Sequence, residues 1–300
     1  MRIVVTGASG FIGRHVVPAL REAGAYVVGL SNGRPVPQAD EWHVCDVCGD
    51  EARERVAGAD VIVHLAGLSD ASLSAREPLL YGRVNALGTL NLLEGARRSG
   101  AFFVLASSQR VYEPGQVPLA EEAPKRPGEP YGYSKVIAEQ WLGMYRQVYR
   151  LPGVALRFFS VYGPGQARPG GTSGVAAIFL HRALAGEEIW VDGEKRADLT
   201  FVSDVARGIV LAIENRASCG PVYNVATGMG TPLRALAQLA VELTGSRSSI
   251  VVRPSVGPAG NLVADISKAR RDLGYEPAVG LREGLGRTID WLRNERSHSP

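Results

Sequence analysis

The chain has 300 residues, 45% of them hydrophobic and 21% charged, and a formal net charge of +3 at pH 7. These values are those of an ordinary soluble globular protein, and so small a net charge gives no sign of a nucleic-acid or membrane partner. No apolar run approaches the roughly 18 residues that a membrane-spanning helix needs. The three cysteines, an odd number, are typical of free thiols, and we expect a cytoplasmic protein.

The N-terminal half alternates short β-branched apolar runs with helical patterns, and it begins with a strand rather than a cleavable leader. Strands are predicted at Arg2–Thr6, Tyr26–Leu30, Trp42–Cys45, Val61–Leu65, Phe102–Ala106 and Val154–Phe159. Helices are predicted at Ile12–Glu22, Glu51–Val56, Leu80–Arg98 and Tyr131–Tyr149. This order predicts an α/β fold, a doubly wound parallel sheet of the Rossmann type, with its ligand beyond the carboxyl ends of the strands.

The alternation loosens after about residue 165, where Gly165–Gly174 forms a Gly/Pro-rich loop that contains Arg168. Helices are predicted later at Gly174–Ala185, Asp204–Glu214, Pro232–Thr244 and Leu281–Arg293. We therefore expect a dinucleotide-binding domain at 1–165, a smaller α/β substrate lobe at 166–294 with some chain crossing between the two, and a tail at 295–300.

A glycine turn joins the first strand to the first helix. Gly7, Gly10 and Gly13, with Phe11 and Ile12 between the last two, follow a G-x-x-G-x-x-G pattern. In such a turn the first glycine allows the tight bend, the second lets a pyrophosphate approach the backbone, and the third lets helix and strand pack closely. Its place at the first strand–helix junction predicts a dinucleotide at the helix N-terminus.

The second strand ends at Ser31, Asn32 and Arg34 rather than at the acidic residue that usually holds the ribose 2′-hydroxyl of NAD. Ser31 would not repel a 2′-phosphate and Arg34 could pair with one, so NAD and NADP are about equally expected, with a slight preference for NADP. Arg34 could also be a solvated turn residue. Asp46 and Val47 follow the third strand, where a carboxylate can accept from the adenine amino group.

Cys45 and Cys48 form a C-x-x-C pair, and His43 lies just before it. Because no second pair of ligands accompanies them, we interpret the segment as a strand end and predict no metal site. Leu65, Ala66 and Gly67 end the fourth strand, and such small residues would let the dinucleotide come close to the backbone.

Tyr131 and Lys135 lie four residues apart at the start of a predicted helix and therefore share one face. An ammonium beside a tyrosine favours the phenolate, so this spacing provides a usable acid and base. Ser108 ends the fifth strand at the edge where the nicotinamide should lie, and its hydroxyl can donate to a substrate oxygen. We interpret the neighbouring Ser107 as a structural residue.

These motifs resemble those of the nucleotide-sugar epimerase/dehydratase family of extended short-chain dehydrogenases/reductases, from residue 1 to about 292. Besides the glycine turn, the resemblance depends on His64–Gly67, Asn85–Thr89, Ser107–Tyr112, Pro130–Lys135, Leu156–Gln166, Phe201–Ala206, Tyr223–Val225 and Ala264–Ala269. It implies that Ser108, Tyr131 and Lys135 are catalytic and that Asn85, Ala106 and Phe159 lie beside the cofactor. It also implies a homodimer formed by the helices at Leu80–Arg98 and Tyr131–Tyr149, although their apolar faces could equally belong to the core.

Departures from the family pattern bear on the reaction and the substrate. Dehydratases of the family carry Asp-Glu after the catalytic Ser/Thr, whereas this chain has Gln109 and Arg110, which cannot exchange protons in that way at neutral pH. Ser160 replaces the family's Asn, and Ala197 replaces an Arg. Arg168, Arg182, Arg196 and Arg253 are candidates to bind the substrate diphosphate together with Ser160, or are solvated surface residues.

The sequence therefore predicts a nucleotide-sugar 4-epimerase that transfers a hydride transiently at C4. A 4-keto-sugar reductase that uses NADPH is the alternative, because the same three side chains would serve it and the Ser31/Arg34 strand end suits NADP. A dinucleotide-sensing protein without catalysis is a remote third, since such proteins typically lose the Tyr or the Lys and both are present.

Overall fold

The computed structural model describes residues 1–297 apart from 114, 116, 167–173 and 255–260, with side chains to residue 295. The strands are β1 (Arg2–Thr6), β2 (Tyr26–Ser31), β3 (Glu41–Val44), β4 (Val61–His64), β5 (Phe102–Ser108), β6 (Gly153–Phe158), β7 (Ile189–Asp192), β8 (Arg196–Asp198), β9 (Val222–Val225), β10 (Gly230–Pro232) and β11 (Ile250–Arg253). Arg168 of the candidate substrate residues lies outside the described residues.

The helices occupy most of the chain between these strands. They are α1 (Gly13–Glu22), α2 (Asp50–Val56), α3 (Ala71–Arg76), α4 (Pro78–Tyr81), α5 (Gly88–Ser99), α6 (Pro130–Tyr149), α7 (Val175–Ala185), α8 (Val202–Glu214), α9 (Leu233–Thr244), α10 (Ser267–Leu273) and α11 (Leu281–Ser297). A π-helical segment, Gly82–Leu87, joins α4 to α5, so the helix predicted at Leu80–Arg98 is one helical run with a widened turn.

Seven parallel strands form the central sheet in the order β3-β2-β1-β4-β5-β6-β9. β1 pairs with β2 on one side and with β4 on the other. The strand order therefore reverses its direction between β1 and β4. Ligands of open α/β sheets bind at such a switch, beyond the carboxyl ends of the strands. The predicted doubly wound α/β fold is confirmed, and the glycine turn after β1 lies at the switch.

Both faces of the sheet are covered, which is why its inner strands are mainly apolar. Alternate residues of each strand point to opposite faces: Ile3 and Val5 pack with α1, α8 and α10, whereas Val4 packs with α2, α5 and α6. Each core buries tens of apolar side chains, and at roughly 25 cal/mol per Å² this burial is the main force that holds helices against the sheet.

A third core lies in the C-terminal part, where α7, α9 and α11 pack around β7 and β11. The same part of the chain also returns to the central sheet, because β9 forms its edge beside β6 and α8 covers one face. β8 and β10 pair as a small antiparallel ribbon. A division of the chain near residue 165 therefore stays a proposal about domains, with β9, α8 and α10 crossing back.

Candidate active site

The glycine turn has the shape that an incoming pyrophosphate requires. Gly7 has a φ of +67°, and a Cβ there would lie 2.7 Å from the backbone nitrogen of Ala66. A Cβ on Gly13 would collide with the Gly7 carbonyl, whereas one on Gly10 would meet only that carbonyl oxygen, at 3.1 Å. Within the described residues, no side chain caps α1 at Ile12 and no acidic residue lies in its first turn. A helix start without a side-chain cap or a negative charge favours the binding of an anion.

At the end of β2, the Ser31 hydroxyl donates to the carbonyl oxygen of Arg34 at 2.5 Å. The Ser31 proton is thus engaged, but its oxygen can still accept a hydrogen bond. Asp46, after β3, accepts from the backbone N–H of Cys48 at 3.0 Å and lies 3.7 Å from Arg83. Val47 is buried against Gly88 of α5, and Asn32 and Arg34 are exposed.

The loop after β4 is fixed by Asn85, which the π-helical segment carries. The Asn85 amide accepts from the N–H of Leu68 at 2.8 Å and donates to the Leu68 carbonyl at 2.9 Å. The same amide donates to the Ser134 hydroxyl at 2.9 Å, and a Cβ on Gly67 would lie 2.9 Å from its oxygen. Widened helical turns often occur at functional sites, and this one connects the Leu65–Leu68 loop to α6.

Tyr131 and Lys135 lie in the first two turns of α6, beneath the carboxyl ends of β4 and β5. Lys135 is buried and donates to the carbonyl oxygen of Ala106 at 2.8 Å. Burial lowers the pKa of Lys135 to about 8, although the negative charge of Glu139 opposes the change. An ammonium has three N–H donors, so two of them are left for other acceptors, among which the nearby Gly67 backbone and a bound dinucleotide are candidates.

Burial raises the pKa of Tyr131, and the negative charge of Glu129 adds to the rise. A hydrogen bond with Ser108 and the positive charge of Arg110 act in the opposite direction. Ser108 itself accepts from the backbone N–H of Arg110 at 3.1 Å, which leaves its own proton available as a donor. The structure thus places Ser108 beside Tyr131 and Lys135 one turn further along the same helix, and it adds Arg110 as a charge that acts on Tyr131.

Behind the trio lies a buried ion pair that links α6 to β5 and β6. Arg157, fully buried, donates to both carboxylate oxygens of Glu139 at 2.8 and 2.7 Å. Ser107 donates to Glu139 at 2.6 Å, in line with the structural role expected for it. Lys125 lies 3.3 Å from the same carboxylate. Four residues separate Glu139 from Lys135, so the pair also supports the helix turn that carries Lys135.

Of the four candidate substrate arginines, the structure brings two together. The guanidinium carbons of Arg182 and Arg253 lie 4.1 and 3.8 Å from the ring centre of Trp190. These distances require one guanidinium on each face of the indole, an arrangement that holds planar cations in place. Arg182 also donates one N–H to the carbonyl oxygen of Glu188 at 2.7 Å. Arg196 lies outside this stack, on β8, and donates to the carbonyl of Gly230.

Two further predicted residues lie side by side at the β5–β6 edge. The Ser160 hydroxyl accepts from the Gln109 amide at 3.0 Å, and Phe159 is fully buried beside them. Sequence reasoning missed Trp190, Glu139 and Arg157. Arg157 could have been noticed as the charged residue in the otherwise apolar β6 sequence. Nothing in the residue spacing indicated Trp190 or Glu139.

The described ranges contain no cluster of three or more His, Cys, Asp or Glu side chains arranged to hold a metal ion. They also contain no helix that is both long and apolar enough to cross a membrane.

Known proteins resemble this chain along its whole length. The family model of the NAD-dependent epimerase/dehydratase family matches residues 3–226. The UDP-glucose 4-epimerase of Mycolicibacterium smegmatis is 35% identical over 98% of this chain and 99% of its own. A dTDP-glucose 4,6-dehydratase of Streptomyces griseus is 30% identical over 98% of this chain and 95% of its own.

Two solved structures have the same fold. The UDP-glucose 4-epimerase of Thermotoga maritima, solved with UDP-glucose, superposes with a TM-score of 0.90 at 34% identity, over 99% of this chain and 100% of its own. The UDP-glucose 4-epimerase of Thermus thermophilus, solved with NAD, gives a TM-score of 0.87 at 33% identity, over 98% of this chain and 99% of its own.

Proposed function

This chain belongs to the NAD-dependent epimerase/dehydratase family and is an enzyme of the extended short-chain dehydrogenase/reductase type, and we propose that it is a 4-epimerase of a nucleotide-linked hexose. The observation that carries the proposal is that Ser108 lies beside Tyr131, with Lys135 one turn further along α6, all at the sheet edge that the glycine turn shares. Similarity to UDP-glucose 4-epimerases supports a UDP-hexose as the substrate.

In this mechanism Tyr131 removes the proton from the C4 hydroxyl of the sugar and later returns it. Ser108 donates to the same oxygen and stabilises the charge that develops there. Ser108 and the positive charge of Arg110 favour the phenolate form of Tyr131, which its burial would otherwise disfavour. A bound dinucleotide would supply a reversible acceptor for the C4 hydride, and inversion at C4 requires that the keto sugar turn over before the hydride returns.

We propose that the dinucleotide is NAD. Its pyrophosphate would contact Gly10 and the start of α1, and its adenosine the residues after β2 and β3. Because the Ser31 proton is engaged by the Arg34 carbonyl, Ser31 can accept from a ribose 2′-hydroxyl but cannot donate to a 2′-phosphate. This argues against the preference for NADP that the missing acidic residue suggested. NAD in a solved relative supports the same choice.

This site has no acid and base for dehydration at the two positions after Ser108. The Gln109 amide is bonded to Ser160, and Arg110 lies 3.9 Å from Glu129. Neither Gln109 nor Arg110 can protonate a leaving hydroxyl at neutral pH. This favours epimerisation over the dehydration for which some relatives are named.

We propose that Arg182 and Arg253 bind the substrate diphosphate. Trp190 holds both guanidinium groups, and a guanidinium has five N–H donors, so Arg182 keeps donors for phosphate oxygens beside its bond to the Glu188 carbonyl. Arg196 is the weaker candidate because it lies outside this pair of stacked cations.

The proposal is tested by the absorbance at 340 nm after purified enzyme is mixed with a panel of nucleotide sugars and no added cofactor. A 4-epimerase is expected to carry bound dinucleotide and to show a small, transient rise with its own substrate only. A lasting rise equal to the enzyme concentration, without an epimer among the products, would contradict the proposal.

A further inference from the structure

A buried histidine lies behind the dinucleotide site and was not among the predicted site residues. His64 ends β4 and is 2% exposed. Its Nδ1 lies 2.7 Å from the hydroxyl of Thr6 and its Nε2 lies 3.0 Å from the hydroxyl of Thr89. Both ring nitrogens therefore have a partner, on β1 and on α5.

The neighbouring bonds fix where the protons are. The Thr89 hydroxyl donates to the Asn85 carbonyl at 2.6 Å, so its oxygen can only accept from His64. This places the imidazole proton on Nε2, and Nδ1 is then an acceptor for the Thr6 proton. The Thr6 oxygen in turn accepts from the backbone N–H of Ala66 at 3.2 Å. With a neutral His64, every bond in the series has one donor and one acceptor, and the Thr6 proton also has an acceptor.

The charges around His64 agree with a neutral ring. Burial and the positive charge of Lys135, which faces it from α6, lower the pKa of His64 to about 3. The other group packed on the ring is the phenyl of Phe103 on β5, at 5.9 Å between ring centres. A protonated imidazole would donate from Nδ1 to the Thr6 oxygen, and the Thr6 proton would then lose its acceptor.

The series connects the segments that we assign to the dinucleotide. Thr6 immediately precedes Gly7, and Ala66 belongs to the loop after β4. The Asn85 side chain holds Leu68 in that loop and donates to Ser134, whose hydroxyl donates to the Tyr131 carbonyl at 2.7 Å. One hydrogen-bonded route therefore passes from the glycine turn to the catalytic helix.

We propose that His64, as a neutral Nε2–H tautomer, is a positioning residue that keeps the glycine turn, the Leu65–Leu68 loop and the Asn85 segment in register around the dinucleotide. This proposal rests on the proposed function, since it assumes that a dinucleotide binds there. His64 touches no reacting atom, so its loss should weaken dinucleotide binding and leave the remote diphosphate site near Trp190 intact.

The test compares Thr89→Val with Thr89→Ser. Valine has the shape of threonine without its hydroxyl, and serine keeps the hydroxyl. When a buried N–H donor loses its hydrogen-bond partner, the equilibrium constant that depends on this hydrogen bond falls roughly tenfold. We expect Thr89→Val to bind NAD about tenfold more weakly by titration calorimetry, with affinity for UDP unchanged, and Thr89→Ser to bind both as wild type does.

A second measurement needs no variant. ¹⁵N NMR of the free wild-type enzyme should show His64 protonated at Nε2 only, at pH 5 as at pH 8. A proton on Nδ1, or equal NAD affinity in Thr89→Val and wild type, would overturn the positioning role while the proposed function stands. If the wild type binds no dinucleotide, the proposed function fails and this inference fails with it.

Discussion

At Tyr131, burial and the Glu129 carboxylate act against ionisation, while Ser108 and the Arg110 charge favour it. Sequence spacing identified Ser108, Tyr131 and Lys135 because an i, i+4 pair and a strand end are local features. It did not identify the effect of Arg110, which depends on how the turn after β5 packs against the start of α6. Gly132 makes that approach possible, since a Cβ there would collide with the Arg110 carbonyl.

Tyr131→Phe removes only the acid/base hydroxyl. We expect the rate of epimerisation to fall by about 10²-fold or more, whereas NAD affinity and thermal stability change little. Initial rates measured with a coupled sugar assay, next to a dinucleotide titration, provide the check. A variant that keeps more than about a tenth of the wild-type rate would rule out Tyr131 as the acid/base.

Lys135 gives a pH dependence that ordinary lysines lack. Its pKa is lowered to about 8 in the folded chain, so its ammonium is lost as the pH rises through 8 and NAD affinity should fall there. Between pH 8 and the usual lysine pKa, Lys135 is protonated in the unfolded chain but not in the folded chain. Its contribution to the free energy of unfolding therefore rises with pH. Calorimetric NAD titrations from pH 6.5 to 9.5 measure the fall in NAD affinity. Lys135→Met should bind weakly with no such pH dependence; the same fall in that variant would show that another group titrates.

At the scale of elements, a buried ion pair between Arg157 and Glu139 joins α6 to β6. The sequence predicted both elements, but not that Arg157 and Glu139 meet, because the pairing follows from strand order and helix rotation rather than from spacing. The π-helical segment was also missed, since a 3.6-residue apolar period does not reveal one widened turn. The β3 strand was predicted one residue too late, which is within the usual error of element ends.

Glu139→Gln tests this interface. It leaves the Arg157 guanidinium buried without a counter-charge, so we expect a loss of roughly 3 kcal/mol in the free energy of unfolding, measured with urea. Lys125→Gln is the matched control, because Lys125 contacts the same carboxylate from a partly exposed position and should cost less than about 1 kcal/mol. Equal losses in the two variants would show that the carboxylate has no special role at this interface.

At the scale of the whole molecule, the helical run 78–99 and α6 expose an apolar face. It contains Leu79, Leu80, Leu87, Tyr133, Ile137, Val148 and Tyr149. These two helical elements pack side by side, and exposed apolar side chains on neighbouring helices are typical of a protein interface. We propose that a second copy of the chain covers it, as the family resemblance implies.

The double variant Leu80→Glu/Ile137→Glu should convert the homodimer to a monomer, because two carboxylates on each side would be desolvated in the interface. Sedimentation equilibrium gives the mass directly. Val44→Glu, a similar change at an exposed apolar residue on the edge strand β3, should leave the dimer intact. A wild type that sediments as a monomer would contradict the proposal.

The central claim is that the C4 hydride leaves the sugar and returns to it within one binding event. The direct measurement is to incubate the enzyme with a nucleotide hexose deuterated at C4, without external cofactor, and to follow both C4 epimers by NMR. The account predicts both epimers with deuterium retained at C4. An enzyme that forms no epimer from this substrate, but reduces a 4-keto nucleotide sugar and consumes one NADPH for each, would be a reductase and would contradict it.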